Sequence, residues 1–263
     1  MYFAIIIYNF ILEVVMNDFN WLYYVPIAHR GLHSDAAPEN SLAAFKRAID
    51  KGYNIEIDIH LIADGDFAVF HDSNLIRMCG VDQKVSKLTS AELKEFKLKG
   101  TNEYIPTLKE LLELIDGKVG LVIENKTHHN RELGRLLYEY IEACGYTGNY
   151  ALQCFSPLSL LWYRRNTSDI PIGILTFNYR KVGLFGLLGM YLSNGILRRK
   201  IKPDFISFKI NHIPYKGLTK QRENGMKVIT WTVNSAEKHK VASKYADNII
   251  FENEEFLNVL SNQ

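Results

Sequence analysis

Short apolar runs, several of them holding or leading into a charged residue or a histidine, recur along this chain, and most are separated by stretches of helical spacing. Val25–His29, Ile55–Ile59, Phe67–Phe70, Gly120–Glu124, Tyr150–Cys154, Ile172–Leu175, Phe205–Phe208 and Lys227–Trp231 read as strands, and Ile249–Phe251 as a last extended piece. Runs of this length, bounded by Gly, Pro, Asn and Ser, are strands rather than helices. Between them, Leu42, Phe45, Ala48 and Ile49 fall at helical spacing behind a cap at Asn40 or Ser41, with Gly52 closing the helix. Thr107 and Glu110 form a capping box that opens a helix over Leu108–Ile115. Further helices are predicted from about Arg131 to Ala143, after Ser156-Pro157, and over Ala236–Tyr245. Alternating β and α at this count predicts a TIM (β/α)8 barrel rather than a doubly wound sheet. Such a barrel takes about 250 residues as one domain.

One stretch breaks the alternation. Ala63-Asp64-Gly65-Asp66 is a turn signal with no room for a helix, and Phe67–Phe70 runs straight into His71. If Glu56 and His71 share one end of the sheet, residues 59–64 run back down, turn at Asp64-Gly65 and rise again. Residues 72–106 exceed an ordinary loop and carry a capping box at Thr89 and Glu92. They read as a small insertion after the third strand.

The rest of the composition mostly excludes. With 47% hydrophobic residues, 23% charged residues and a formal net charge of +2, the chain lacks the basic stripe of a nucleic-acid binder. Cys79, Cys144 and Cys154 make neither a disulfide framework nor a metal motif, so they read as core thiols in a reducing, cytoplasmic setting. Residues 1–15 are apolar but hold no Lys or Arg, and Asn9 and Glu13 interrupt them well short of a membrane span. The chain therefore divides into an apolar extension, residues 1–24, and a barrel domain, residues 25–263. A signal or anchor, an added element of the domain, and an extension ahead of a start at Met16 are the three readings of the first segment.

Active sites of such barrels lie at the C-terminal ends of the strands. His29, Glu56, Asp58, His71, Glu124, Lys126, Gln153 and Trp231 all fall there. Residues i and i+2 of a strand share a face, so Glu56 and Asp58 point together into the mouth, as do Glu124 and Lys126. Three converging carboxylates repel unless a hard cation sits among them, and oxygen ligands favour Mg²⁺ or Ca²⁺. The bland alternative is a salt-bridge network of these carboxylates with Arg30 and Lys126. His29 and His71 have the side-chain type that can both take and give a proton near neutrality. Beside a cation they suit phosphodiester cleavage, with Arg30 and Lys126 stabilising charge on the phosphoryl oxygens. His33, His60, His128, His129, His212 and His239 lack that context and read as structural.

At these residues the sequence resembles the glycerophosphodiester phosphodiesterase family, from about Pro26 to Phe251. The motifs are His29-Arg30-Gly31, Pro38-Glu39-Asn40-Ser41, Glu56-x-Asp58, Asp64-Gly65 before His71-Asp72, Ile105-Pro106-Thr107-Leu108, Glu124-x-Lys126 and Trp231-Thr232-Val233-Asn234. The resemblance implies a TIM barrel with a small insertion after the third strand. It also implies hydrolysis of glycerophosphodiesters to an alcohol and sn-glycerol 3-phosphate. By motif matching, Glu56, Asp58 and Glu124 are expected to hold one divalent cation. His29 and His71 are expected to be the acid–base pair, and Arg30 a phosphate contact. Glu39 and Lys126 are expected as supporting substrate-site residues, and Trp231 as a wall against the glycerol.

Two departures stand out. The family often ends its last strand with an Ile-Thr-Asp-x-Pro-like segment, where this chain has Ile250-Phe251-Glu252-Asn253. Val182–Leu197 is apolar and glycine-rich, with Arg180 and Lys181 before it and Arg198, Arg199 and Lys200 after it. That segment reads either as a peripheral membrane contact through residues 180–200 or as a barrel helix packed on the sheet. The first reading favours lysophospholipase-D-type hydrolysis of membrane lysophospholipids. A rival from another class is a catalytically silent, membrane-associated binding protein.

Overall fold

The computed structural model describes residues 19–126, 132–178 and 200–253. Residues 1–15 and 182–197, on which the extension and membrane readings rest, lie outside the described residues. No helix among the described residues is long and apolar enough to cross a membrane.

Eight parallel strands close into a barrel. They are β1 (Ile27–His29), β2 (Asn54–Leu61), β4 (Leu121–Asn125), β5 (Tyr150–Cys154), β6 (Ile172–Thr176), β7 (Phe205–Lys209), β8 (Lys227–Val233) and β9 (Asn248–Phe251). The ring closes because β1 pairs with both β2 and β9. The eighth barrel strand is thus the short C-terminal piece, and Phe67–Phe70 is not a barrel strand. Its core, β3 (Phe67–Val69), runs antiparallel to β2, with Ile59 opposite Val69 and Leu61 opposite Phe67. The expected path is reversed here. β2 carries on upward to Leu61, the chain turns through Asp64-Gly65, and β3 descends to bring His71 back to the mouth. The Phe70 amide donates to the Asp58 carbonyl, which fixes that return.

The helices follow the capping chemistry of the sequence. Ser41 caps α2 (Leu42–Asp50) by accepting from the Ala44 amide, which leaves Asn40 for another task. Thr107 and Glu110 bond reciprocally at the start of α5 (Leu108–Ile115). Ser235 caps α9 (Ala236–Tyr245), whereas Ser156 makes no side-chain cap on α7 (Pro157–Asn166) and Pro157 alone starts that helix. The remaining helices are α1 (Asn20–Tyr24), α6 (Leu133–Ala143), α8 (Lys216–Glu223) and two short helices of the insertion, α3 (Ile76–Cys79) and α4 (Ser90–Leu93). The insertion packs its own core of Ile62, Phe70, Leu75, Met78, Val85, Leu93 and Leu98.

Period-two alternation along the strands builds the barrel's interior. The inward positions at the floor are apolar: Ile27, Val122, Ala151, Phe205, Ile229 and Ile250, closed from below by Leu22 of α1. Gly173 leaves the room that Phe205 fills, since a Cβ there would lie 2.2 Å from its ring. Two residues further along each strand the same face turns polar, giving His29, Glu124, Gln153, Trp231 and Glu252. The side-chain amides of Asn54 and Asn248 donate to backbone carbonyls of α1 and of Val25, sealing the floor.

Candidate active site

The mouth is built from the ends of β1, β2, β4, β5 and β8 and from the descending limb of the β2–β3 hairpin. A cavity of about 170 Å³ opens there, lined by His29, Arg30, Glu56, His71, Glu124, Lys126, Gln153, Phe155 and Trp231 among others. A larger hollow of about 480 Å³ lies at the opposite end, beside α1 and the start of β5, but lacks convergent charge. Chemistry rather than volume marks the site.

Glu56, Asp58 and Glu124 each offer an oxygen within 4.8 Å of the others, and all three are buried. Parity on β2 aims the first two inward, and the register sets Asp58 beside Glu124. Lys126 Nζ lies 2.9 Å from Asp58 Oδ1 and 2.5 Å from Glu124 Oε1. Arg30 Nε lies 3.0 Å from Asp58 Oδ2, and Asn40 Nδ2 donates to the same oxygen at 3.1 Å. A salt-bridge network does form, yet it is short of one positive charge. Among the described residues, Glu56 meets only the Arg30 amide at 3.3 Å, the Gln153 amide at 3.4 Å and the His29 ring at 3.9 Å.

The electrostatics register that shortfall. Burial, then repulsion from Asp58 and Glu124, push the Glu56 carboxyl well above the usual carboxylate range. Burial and Asp58 push Glu124 up to about 7. Burial also opposes ionisation of Asp58, but Lys126 and Arg30 outweigh it and hold that carboxyl below its ordinary range. Two carboxyls that resist ionising beside one that is charged form a donor set that a divalent cation completes. The buried Asn40 Oδ1 and Gln153 Oε1, without hydrogen-bond partners among the described residues, add two further oxygens to the mouth. The residues fit a hard metal ion.

Each histidine is braced by a carboxylate. His29 Nδ1 lies 2.6 Å from Glu252 Oε1, and His71 Nδ1 lies 2.6 Å from Asp72 Oδ1. Such a partner selects the tautomer with the proton on Nδ1 and leaves Nε2 for chemistry. Burial is the largest influence on both rings and lowers the pKa of each, working against their acidic partners. His60, read as structural, supports its neighbour: its Nε2 donates to the His71 carbonyl at 3.1 Å.

Arg30 has a left-handed backbone, φ 57°, followed by Gly31 at φ 80°. This double reversal turns the chain off β1 so that the guanidinium folds over the mouth. Its Nη1 donates to Glu39 Oε1 at 2.6 Å. Burial would raise the Glu39 carboxyl, but hydrogen bonds and charge from Arg77 and Arg30 hold it at about 2. Across the mouth Trp231 meets Phe155 edge-on at 5.9 Å, with Lys209 Nζ 5.8 Å from its ring centre. Its buried indole N–H has no partner among the described residues.

The nine residues singled out in the sequence therefore surround one mouth or brace a residue that does. Sequence reasoning gave no role to Asp72, Glu252, Phe155 or Arg77, and read Asn40 only as a candidate helix cap, whereas it donates to Asp58. Asp72 was signalled by its adjacency to His71, and Glu252 by standing at the end of the last strand. Arg77 had no signal, because the insertion's path cannot be read from spacing.

Comparison with known proteins agrees with the fold and places the chain in a family. The sequence profile of the glycerophosphoryl diester phosphodiesterase family matches residues 29–253. A glycerophosphodiester phosphodiesterase of Caldanaerobacter subterraneus subsp. tengcongensis is 32% identical over 248 residues, covering 88% of this chain and 95% of that protein. Lysophospholipase D GDPD1 of Rattus norvegicus is 30% identical over 207 residues, covering 72% of this chain and 62% of that protein. Among solved structures, an Oleispira antarctica phosphodiesterase in complex with the product sn-glycerol-3-phosphate superposes with a TM-score of 0.76. It is 23% identical and covers 92% of this chain and 99% of its own, a likeness of fold. A profile matched over nearly the whole described chain, on a barrel whose polar residues meet at one mouth, places this protein in the glycerophosphoryl diester phosphodiesterase family.

Proposed function

We propose that this chain hydrolyses glycerophosphodiesters to an alcohol and sn-glycerol 3-phosphate, using one divalent cation, Mg²⁺ or Ca²⁺, held by Glu56, Asp58 and Glu124. The observation that carries the reading is the pairing of that under-neutralised carboxylate triad with two carboxylate-braced histidines around one cavity. A cation bound there supplies positive charge to the phosphoryl oxygens and to the attacking oxygen. Arg30 adds a guanidinium, held by Glu39 and Asp58, that lines the cavity where a phosphoryl oxygen would lie. Lys126 steadies Asp58 and Glu124 and adds a second positive charge.

One neutral imidazole accepts the proton of the attacking hydroxyl at Nε2, and the other, entering the reaction as imidazolium, delivers its Nε2 proton to the departing alkoxide. Glu252 and Asp72 stabilise the imidazolium that each ring becomes in its turn. Trp231 and Phe155 form an apolar wall on which the carbon face of a glycerol can lie, and the unpartnered indole N–H offers it a donor.

The test is release of glycerol 3-phosphate from glycerophosphocholine before and after chelation of divalent ions. Activity should vanish with chelator and return with Mg²⁺ or Ca²⁺. Full activity in excess chelator overturns the cation assignment. The likeness to a lysophospholipase D supports a second reading, hydrolysis of lysophosphatidylcholine at the same site. Parallel assay of both substrates decides between them. Turnover of neither, with the cation bound, would leave the silent binding protein.

A further inference from the structure

Arg77 lies on α3, at the start of the insertion, and touches neither the cavity nor the carboxylate triad. Its guanidinium nevertheless meets both sides of the machinery. Nη1 and Nη2 grip Glu39 at 2.8 Å each, and Nε donates to Asp72 Oδ2 at 2.6 Å. Glu39 in turn holds Arg30 at 2.6 Å, and Asp72 holds His71 at 2.6 Å. One rigid fork thus spaces two carboxylates, each of which orients a group expected to touch substrate. A planar guanidinium can do this because its donors point in fixed directions, whereas an ammonium would hold each partner loosely.

The insertion's apolar core is built without Arg77. Its neighbours Leu75 and Met78 bury themselves in the insertion's own apolar cluster, while the Arg77 side chain stays 44% exposed. Ion pairs this exposed add little stability. The five hydrogen bonds use every charged oxygen of Glu39 and Asp72, so the geometry is over-determined where the energy is small. That is the mark of a part that sets position.

We propose that Arg77 is a positioning residue which, through Asp72 and Glu39, sets the orientation of His71 and Arg30 together and so makes the insertion part of the catalytic apparatus. This rests on the roles given to His71 and Arg30 above. It predicts a divided effect: the Asp72 arm governs turnover and the Glu39 arm governs substrate affinity.

The experiment is a pair of double-mutant cycles on the full chain with Mg²⁺ and glycerophosphocholine. Arg77→Met should lower kcat about 10- to 100-fold, as loss of orientation does, and raise KM several-fold, with the thermal midpoint nearly unchanged. In an Asp72→Asn background the same substitution should raise KM but cost little more in kcat. In a Glu39→Gln background it should cost kcat but add little to KM. Arg77→Lys should recover less than half of the loss, and added guanidinium ion should recover part of it in Arg77→Ala. Unchanged kcat and KM in Arg77→Met, or losses that simply add in both backgrounds, overturn the proposal. Should Arg77→Met fail to fold, full activity in Arg77→Lys overturns it equally. Inactivity of His71→Ala alongside normal Arg77→Met marks failure of this inference alone. Normal activity in His71→Ala and Arg30→Ala marks failure of the functional reading beneath it.

Discussion

At the scale of single residues, the two histidines differ from an ordinary surface imidazole in burial and in bracing. Burial lowers the pKa of both rings, so each stays neutral to a lower pH than the usual 6.5. The base of the reaction must be neutral in the free enzyme, so the acid limb of kcat/KM should fall below pH 6.5. Removing the brace from His29 in Glu252→Gln takes away a charge that favours the imidazolium. The limb should then move further toward acid, while kcat drops because the charged ring is no longer stabilised. His29→Ala and His71→Ala should each lose at least about 10²-fold in kcat. A pH–rate series on the three variants checks all of this, and near-normal turnover in either alanine variant removes that ring from the reaction. Residue identity was the most legible level in the sequence, because histidines and carboxylates announce their chemistry. Their partners were less so: nothing in the spacing shows that Glu252 reaches His29 across 223 positions.

At the scale of elements, the turn out of β1 is the tightest joint. A Cβ on Gly31 would lie 2.9 Å from the Ala44 carbonyl carbon and 2.9 Å from Phe45 Cδ1, on a backbone already at φ 80°. Neither backbone nor a buried ring can yield at small cost. Gly31→Ala should therefore lose about 1–3 kcal/mol of stability and raise KM, since α2 can retreat only by shifting Arg30. Denaturant titration beside steady-state kinetics tests the coupling, and a stable variant with normal KM would break it. Helices with capping boxes were legible to the residue, as at Thr107 and Glu110, because the cap bonds are local. The β2–β3 hairpin was legible as a hairpin but not in its direction. Apolar alternation is the same read up or down a strand, and only the antiparallel register of Ile59 with Val69 settles it.

At the scale of the whole molecule, the barrel tolerates a destabilising charge cluster. Glu56 holds its proton more tightly in the folded chain than its ordinary value of 4.5 allows. Stability without a cation therefore falls as pH rises through and above 4.5, and for Glu124 it continues falling to about 7. Glu56→Gln should raise the thermal midpoint in chelator at neutral pH, because Gln153 can turn its unpartnered oxygen toward the new amide. The same variant should lose the rise that the cation gives the native chain, about 2.7 kcal/mol at a hundredfold excess over Kd. Differential scanning calorimetry with and without Mg²⁺ tests both signs; a lower midpoint in chelator refutes the charge-cluster account. The fold as a whole was legible because β/α alternation and length leave few alternatives. The strand count was less secure, because β9 has four residues and no helical stretch after it among those described.

The floor of the barrel carries a consequence for synthesis. Leu22 and its helix sit under the strands, yet the Leu22 carbonyl is bound by the Asn248 side chain, 226 residues later. On the ribosome, that helix emerges 226 residues ahead of Asn248, so its apolar face has no finished seat while the strands between them are being made. A chaperone that shields early apolar segments would find its client there, and premature termination before β9 would leave a ring open along the β1 edge. Nascent chains halted ahead of Asn248 should be protease-sensitive along their whole length, and those released beyond Phe251 should not.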